Sequence, residues 1–438
     1  MCKSSFDVAE EGKPDLSHRI EDASTKFGSD RDCDDKLVTD APRTGSILAG
    51  YSVLTKSMLG SGLFFMAHAC SRFGIIAGMF AILMAGLITF ISLRALSILA
   101  IEFKEHEPSF YSISKRLIPK FKWIIDVAII FSCIGAATGY IITAGELLSK
   151  GLYNMIKWNV NSISVDTVCI IVQTAMILAL ASLCMMKEIS ATKVANLIGL
   201  MSLLYIVITT FVYCDFSQSS SDLLGMPNFL TAMGTFPTFI FAFACQMNVF
   251  QIANELKNPT VKRMNVVTMT STLTGLLIYI PVMIIPFLTF GRGITGNYLH
   301  SMDATKIPVQ IAYILAALSV SISYVLQIHP LRRSILSLYY GERVPSSSEE
   351  LRNRIIVVAV VMLATFGIAV GVKKIDIVTN FTGLLGGNTM CFVMPSLLYL
   401  KHFGWRRNAF SMIVAGLFVF SMVLYPLCLT GIIYELVQ

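Results

Sequence analysis

The chain has 438 residues, of which 55% are hydrophobic and only 14% are charged, and its mean hydropathy is +0.70. Soluble proteins carry about 25% charged residues, so this composition excludes a soluble globular protein and indicates an integral membrane protein. The net charge of +7 is modest and falls in short loops, so it bears on membrane topology and argues against nucleic acid as a partner.

The ten cysteines are scattered, mostly in apolar runs, with no spacing typical of a metal site or a disulfide framework. We interpret most of them as small apolar packing residues and predict no metal and no cofactor. The apolar segments show no cluster of His, Asp and Glu with metal spacing, no nucleophile with a matching base and no Walker motif. An enzyme or an ATP-driven pump is therefore not expected.

Residues 1–45 are polar, and their acidic side chains outnumber the basic ones. The stretch contains no apolar core typical of a signal peptide. We predict a disordered acidic tail in the cytosol, which is either inert or regulatory.

Apolar runs of about 20 residues, the length needed to cross a bilayer, recur along the rest of the chain between short polar breaks. We predict eleven membrane helices, numbered one to eleven, at residues 47–69, 74–101, 122–150, 166–186, 190–213, 231–253, 263–290, 307–329, 353–372, 376–400 and 409–436. Lys and Arg concentrate in the loops that share a side with the N-terminus, which predicts that this side is cytosolic. The odd number of helices places the C-terminus outside or in a lumen.

Predicted helix one has two features that an ordinary lipid-facing helix lacks. Lys56 lies near its middle, where a charge costs at least about 2.5–3.5 kcal/mol. Gly60-Ser61-Gly62 follows, and each glycine weakens a helix by roughly 1 kcal/mol. Irregular backbone is allowed at this depth only where it is buried in protein or lines a polar cavity. We therefore predict an unwound segment facing a cavity, the alternative being a close-packing face of small residues.

Predicted helix six is interrupted at a matching position. Its apolar stretch 236–246 contains Pro237 and leads into the polar run 254–259. Broken helices at matching positions of two halves point to a transporter binding site. Half-helix N-termini present N–H groups to a carboxylate and half-helix C-termini present carbonyls to a cation, so an amino acid zwitterion offers one group to each. Taken alone, the Phe-Ala-Phe run of helix six is more often plain lipid-facing or core apolar sequence than part of a binding site.

Three sequence elements resemble a known family, the amino acid/auxin permeases. These are Gly60-Ser61-Gly62 in helix one, Phe241-Ala242-Phe243 followed by Glu255-Leu256-Lys257-Asn258-Pro259 in helix six, and Tyr324-Val325-Leu326-Gln327 in helix eight. The resemblance extends from about residue 44 to the end of the chain. It implies an all-α integral membrane fold with a five-plus-five inverted repeat and broken helices one and six. The implied domains are the tail at 1–45, repeats at 46–213 and 214–400, and an eleventh helix at 401–438.

The two broken helices, the buried lysine and the resemblance together indicate where substrate and ion bind. Expected substrate-binding residues lie on the two broken helices: Ser57, Met58, Gly60, Ser61, Gly62, Phe241, Ala242, Phe243, Ala244 and Cys245. Expected ion-coupling residues are Lys56, Glu146, Ser319 and Ser323. The serines could instead bond their own helix backbone, Glu146 could be an interfacial acid in water, and we place Asp126 at the cytosolic interface.

Two branches of the family compete at Lys56. The sodium-coupled branch has an asparagine at this place, whereas the proton-assisted branch has a lysine. The ammonium could replace a bound sodium, lose and regain a proton, or serve as a fixed buried cation paired with a helix-eight hydroxyl or carbonyl. Helix six, with Cys245 and the run 255–259, favours the sodium-coupled branch.

The sequence thus favours a secondary active transporter of small neutral amino acids that is independent of sodium and coupled to protons. Its expected partners are an amino acid substrate, protons and the lipid bilayer, in a plasma membrane or a vacuolar or lysosomal membrane. Two alternatives stay open, an amino acid-sensing membrane protein (a transceptor) with little transport and a sodium-coupled amino acid symporter.

Overall fold

A computed structural model of the chain describes residues 45–104, 108–156, 165–185, 192–214, 223–340, 343, 346–372, 375–405 and 408–437. Apart from its last residue, the predicted acidic tail lies outside these residues. Their regular structure is helical, and their β-type pairing is limited to one parallel bridge between Gly45 and Leu256. The prediction of an all-α integral membrane fold is confirmed.

The α-helices follow the predicted segments in order. They are α1 Ile47–Met58, α2 Gly62–Phe73, α3 Ile75–Glu102, α4 Phe110–Leu117, α5 Lys122–Ile156, α6 Val165–Met185, α7 Thr192–Tyr213, α8 Phe229–Ala242, α9 Asn248–Glu255, α10 Val261–Phe290, α11 Ile307–Tyr340, α12 Ser347–Gly371, α13 Ile375–Phe381, α14 Met394–Phe403 and α15 Ala409–Val437. Short 3₁₀ turns cover Pro119–Phe121, Gly291–Gly293 and Tyr298–Ser301.

Eight helices of the described chain are long and apolar enough to cross a membrane. They are α3, α5, α6, α10, α11, α12, the continuous helix from α13 to α14, and α15. The other three predicted segments are α7, of which Ile198–Tyr213 counts as a shorter apolar helix, and the two interrupted pairs α1–α2 and α8–α9. The number of eleven crossings stays a prediction, because neither interrupted pair contains one helix of spanning length.

Both predicted interruptions are present. The first is Leu59–Ser61, between α1 and α2, and the second is Phe243–Met247, between α8 and α9. Gly62, predicted to be part of the first interruption, is instead the first residue of α2.

The tenth segment contains a feature that the sequence did not indicate. Between α13 and α14 the chain forms a π-helix over Thr382–Val393. A π-helix has wider turns than an α-helix and is frequent at functional sites. This segment packs against both α5 and α8, and its Asn388 is fully buried and donates to the Ser421 carbonyl of α15 at 2.9 Å.

We call the side of the molecule on which α1 begins the near side, and the opposite side the far side. The far side is covered by the loop 291–306, which is tied to several helices. The Arg292 guanidinium donates to the carbonyls of Ser71 and Gly225, both at 2.9 Å. His68 Nδ1 lies 3.2 Å from the Ile294 carbonyl, and the Tyr298 hydroxyl lies 2.8 Å from the Thr210 hydroxyl on α7.

The packing of α8 on α15 generates a prediction about stability. The two helices cross at Gly234 and Gly431, and a Cβ added to Gly431 would lie 2.3 Å from the Gly234 nitrogen. Gly431→Ala should therefore force the backbones apart, with a cost of about 1–3 kcal/mol that outweighs the better helix propensity of alanine. The measurement is the melting temperature of the detergent-solubilised protein, which should fall.

Gly416→Ala is the matched control on the same helix, because nothing lies within 4 Å of the Cβ it would add. This variant should melt at the wild-type temperature or above it, since alanine favours the helix. Equal melting of the two variants would contradict the close crossing.

Candidate functional site

A cavity of about 880 Å³ leads from the two helix breaks to the near side. Its deep end is lined by the first break, by the second break, and by side chains of α5, α11 and the π-helix. Its shallow end is lined by the start of α4, by the end of α9, and by Asp126, Arg333 and Ser337. Asp126, expected at the interface, therefore lies in the cavity wall, where it is 6% exposed and accepts a hydrogen bond from the Ser337 hydroxyl at 3.4 Å.

The first break exposes the two polar ends of a divided helix. The Gly60 N–H turns back to the Met58 carbonyl at 2.7 Å, a tighter bond than the α-helical pattern. The next helix begins with the Phe64 N–H bonded to the Ser61 carbonyl at 3.0 Å. The first N–H groups of an α-helix have no partner within the helix and form its positive end. The cavity wall thus contains a carbonyl end of α1 beside an N–H end of α2.

The second break has the same construction and touches the first. The Ala244 N–H bonds the Phe241 carbonyl at 3.2 Å, and the Asn248 N–H bonds the Cys245 carbonyl at 3.1 Å. A Cβ added to Gly62 would lie 2.7 Å from the Ala242 Cα, so the close contact of the breaks requires glycine at position 62. Gly60 has more room, because an added Cβ would lie 3.5 Å from its nearest neighbour, the Tyr140 hydroxyl.

Lys56 lies at the junction of three helices. Its side chain is 5% exposed, and its ammonium donates to the Ser319 hydroxyl of α11 at 3.1 Å. A Cβ added to Gly199 of α7 would lie 2.5 Å from Lys56 Cε and 2.9 Å from Nζ, so the lysine side chain lies directly against the α7 backbone. The buried ammonium is therefore paired with a hydroxyl of the eighth predicted segment.

The predicted substrate-binding residues divide into two groups. Those lining the cavity are Ser57, Met58, Gly60, Ser61, Gly62, Phe241, Ala244 and Cys245. Ala242 and Phe243 lie behind them, 1% exposed each. Their expected role in binding stays a prediction.

The predicted ion-coupling residues are not gathered in one place. Lys56 and Ser323 line the cavity, and Ser319 stands behind Lys56 as its partner. Glu146 lies on the far side, where its carboxylate is 3.0 Å from His300 Nε2 of the covering loop. Glu146 thus lies apart from the cavity wall formed by the described residues, and its role in coupling stays a prediction.

Several polar residues of the cavity were missed by the sequence analysis. Tyr140 of α5 lies beside Gly60 and lines the cavity together with Ser61. Asn248 donates to the Ser57 hydroxyl at 2.7 Å, which links the start of α9 to the end of α1. Gln327 of α11 donates to the Cys133 sulfur at 3.3 Å. A tyrosine or an amide inside an apolar run gives no sequence signal of which way it faces, and only the fold brings these groups together.

The family model described as "Transmembrane amino acid transporter protein" matches residues 43–438. Among curated proteins, the chain is similar to "Vacuolar amino acid transporter 5" of Schizosaccharomyces pombe, with 25% identity over 79% of this chain and 82% of that protein.

Two further relatives have a comparable degree of similarity. One is "Vacuolar amino acid transporter 6" of Saccharomyces cerevisiae, 23% identical over 88% of this chain and 98% of that protein. The other is "Sodium-coupled neutral amino acid transporter 7" of Rattus norvegicus, 26% identical over 82% of this chain and 80% of that protein.

The cavity predicts which positions of α11 react with a water-soluble reagent. Ser323 lines the cavity, whereas Ser321, two residues away, is 8% exposed and donates to the Ala317 carbonyl at 2.7 Å. Because a thiol reacts as a thiolate, which needs water, Ser323→Cys should be alkylated by a membrane-impermeant maleimide much faster than Ser321→Cys. The measurement is mass-spectrometric peptide mapping after timed labelling.

The comparison is made in a background with Cys245 and Cys391, which also line the cavity, replaced by serine. Equal labelling of Ser323→Cys and Ser321→Cys would contradict the orientation of α11 described here.

Proposed function

Because the chain belongs to the transmembrane amino acid transporter family, whose model matches residues 43–438, we propose that it is a secondary active transporter of small neutral amino acids. The observation that carries this proposal is the meeting of two broken helices in the wall of one cavity. In the proposal, transport is independent of sodium and coupled to protons.

The two breaks suit a zwitterion because they offer groups of both signs. The N–H ends of α2 and α9 favour a carboxylate, and the carbonyl ends of α1 and α8 favour an ammonium. The side chains near the breaks on α5 and α11 are uncharged, among them Ser132, Ala136, Ser323 and Gln327. The charged side chains Asp126 and Arg333 lie towards the near side. The Lys56 ammonium is already bonded to Ser319, so a neutral side chain fits the deep end better than a charged one.

The zwitterion model predicts which analogues compete for the site. Removal of the carboxylate leaves the N–H ends without an anion, and N-acetylation leaves the carbonyl ends without a cation. Each loss of a charge-assisted hydrogen bond costs about 1.5–3 kcal/mol, so either change should weaken competition by about tenfold or more. The measurement is inhibition of labelled amino acid uptake in proteoliposomes by the parent amino acid, its amine analogue and its N-acetyl analogue. Equal competition by all three would contradict this model.

The position of Lys56 supports independence from sodium. Its ammonium fills the space between α1, α7 and α11 and already bonds the Ser319 hydroxyl. At about 4 Å, a second unit charge would be repelled by roughly 4 kcal/mol at an effective dielectric of 20. A tenfold loss of affinity needs only about 1.4 kcal/mol, so a sodium ion beside a charged Lys56 would bind negligibly.

The proton is then the co-ion that remains for concentrative transport. Lys56 and Glu146 are the proposed carriers. Lys56 has a polar partner in either protonation state, because the Ser319 hydroxyl can accept from an ammonium or donate to an amine. Glu146, paired with His300, would exchange its proton at the far side.

Lys56→Asn should make uptake, which is independent of sodium in the proposed wild type, respond to sodium. The substitution removes the positive charge and leaves a shorter side chain, whose amide oxygen borders the space vacated next to Ser319 and is a ligand suited to a hard cation. We expect wild-type uptake to respond to an imposed pH gradient equally in sodium and in choline. Sodium stimulation should appear in Lys56→Asn. The measurement is uptake in proteoliposomes with the two gradients varied independently.

Lys401→Asn is the control, because Lys401 is exposed near the end of α14 and lies outside the cavity wall. It removes the same charge and should leave the ion dependence unchanged. Strict sodium dependence of the wild type would contradict the proposal and favour the sodium-coupled alternative that the named rat relative represents. Saturable binding of an amino acid without any flux would favour the alternative of an amino acid-sensing membrane protein.

For location, we propose a vacuolar, lysosomal or plasma membrane, with the near side in the cytosol. The names of two relatives support a vacuole, and the Lys and Arg bias of the loops supports the orientation. In this orientation the cavity opens to the cytosol and the far-side loop separates it from the lumen or exterior.

A further inference from the structure

We propose that Tyr279 is a positioning residue whose neutral hydroxyl occupies the place where the two broken helices would otherwise hold a cation. The inference rests on the proposed function, since it concerns how the same two breaks are kept in order. It assigns to α10, which contributes no residue to the cavity wall described above, a direct part in the geometry of the site.

Tyr279 connects the ends of the two interrupted helices. Its hydroxyl lies 2.5 Å from the Met58 carbonyl and 2.9 Å from the Ala242 carbonyl. Met58 is the last residue of α1 and Ala242 is the last residue of α8. The tyrosine is 0% exposed, and its ring meets the Phe243 ring edge-on with centroids 5.3 Å apart.

Two carbonyl ends that converge at membrane depth require a positive partner. The C-terminal end of a helix carries partial negative charge, and in a bilayer no water neutralises it. Half-helix C-termini of membrane transporters commonly coordinate a cation for this reason. Here the partner is one phenolic O–H, a single donor placed between two acceptors. The Met58 carbonyl also receives the Gly60 N–H at 2.7 Å, so the hydroxyl completes this cluster without adding a charge.

The register of α10 against α1 holds the hydroxyl in place. Ser271, Gly275 and Tyr279 follow one another at intervals of four residues and therefore share one face of α10. Ser271 accepts from the Thr55 hydroxyl at 3.1 Å, one turn below the break. A Cβ added to Gly275 would lie 3.6 Å from the Met58 sulfur, so α10 lies close to α1 up to the break itself.

Because the Tyr279 hydroxyl is neutral, it does not oppose binding of the substrate ammonium. A cation between these carbonyls would repel the substrate ammonium that the same helix ends attract, unless the substrate carboxylate shared it. With a hydroxyl there, the remaining carbonyls of both breaks keep their negative potential for the ammonium. Tyr279 thus acts through the breaks and not by touching the substrate.

Tyr279→Phe tests the positioning role, because it keeps the ring and removes only the hydroxyl. The Ala242 carbonyl then loses its bond to the hydroxyl and the Met58 carbonyl keeps only the Gly60 N–H, so no group joins the two breaks and their alignment should loosen. We expect the KM for amino acid uptake to rise about tenfold, with the amount of inserted protein unchanged. The control is Tyr324→Phe, which removes another fully buried hydroxyl, bonded to Thr365 at 3.1 Å, and should keep the wild-type KM. An equal KM in the two variants would overturn the inference.

Tyr279→Ala tests the claim about the cation, through a measurement that does not depend on transport. Removal of the ring opens a space bounded by the Met58 and Ala242 carbonyls. We expect sodium or lithium chloride to raise the melting temperature of this detergent-solubilised variant relative to choline chloride at equal ionic strength. Wild type and Tyr279→Leu, in which the space is filled, should show no such difference. Tyr279→Ser replaces the alanine variant if that variant does not insert.

A cation response no larger in Tyr279→Ala than in Tyr279→Leu would overturn the inference. These outcomes are separate from those that test transport. If wild-type uptake proves to depend on sodium, the coupling proposal fails while the KM of Tyr279→Phe still decides the role of Tyr279. If the wild type shows no flux, the proposed function fails while the melting comparison still stands.

Discussion

The constraint on which the rest of the structure depends is that backbone groups at membrane depth must find partners within the protein. An unbroken helix would satisfy this constraint, but α1 ends at Met58 and α8 ends at Ala242 in the middle of apolar segments. Each interruption creates free carbonyl and N–H ends, and the surrounding helices are arranged around them. Tyr279 donates to the carbonyls, Asn248 donates to the adjacent Ser57 hydroxyl, and the remaining ends face the cavity.

The positions of the segments and of both breaks could be predicted from the sequence, because length, apolar runs and glycines act locally. Gly60 and Gly62 marked the first break to within one residue. Partners that depend on tertiary packing could not be predicted. Tyr279 and Tyr140 are single aromatic residues in long apolar helices, and no periodic pattern distinguishes a tyrosine that faces a helix break from one that faces lipid. The π-helix at Thr382–Val393 was missed for a similar reason, since its winding follows from its contacts with α5 and α8.

The cavity and the far-side loop belong to one state of the molecule. The loop 291–306 bonds to α2, α5 and α7 through Ile294, His300 and Tyr298, while the near side is lined by exposed polar groups such as Arg333. Access from one side and closure on the other is the arrangement that alternating access requires of each end state. The His300 contacts with Glu146 and Lys150 join the loop to α5.

The bridge between Gly45 and Leu256 links the entry of α1 to the exit of α9. The Gly45 N–H donates to the Glu255 carbonyl at 2.8 Å, and the Lys257 N–H donates to the Gly45 carbonyl at 2.9 Å. Together with the bond between Asn248 and Ser57, this bridge joins α1 and α9 to each other at both of their ends. Neither helix can shift far without the other. A displacement of the backbone at Gly45 would therefore reach the helix breaks along α1. Since linkage is reciprocal, a substrate that displaces the breaks would in turn displace the bridge at Gly45.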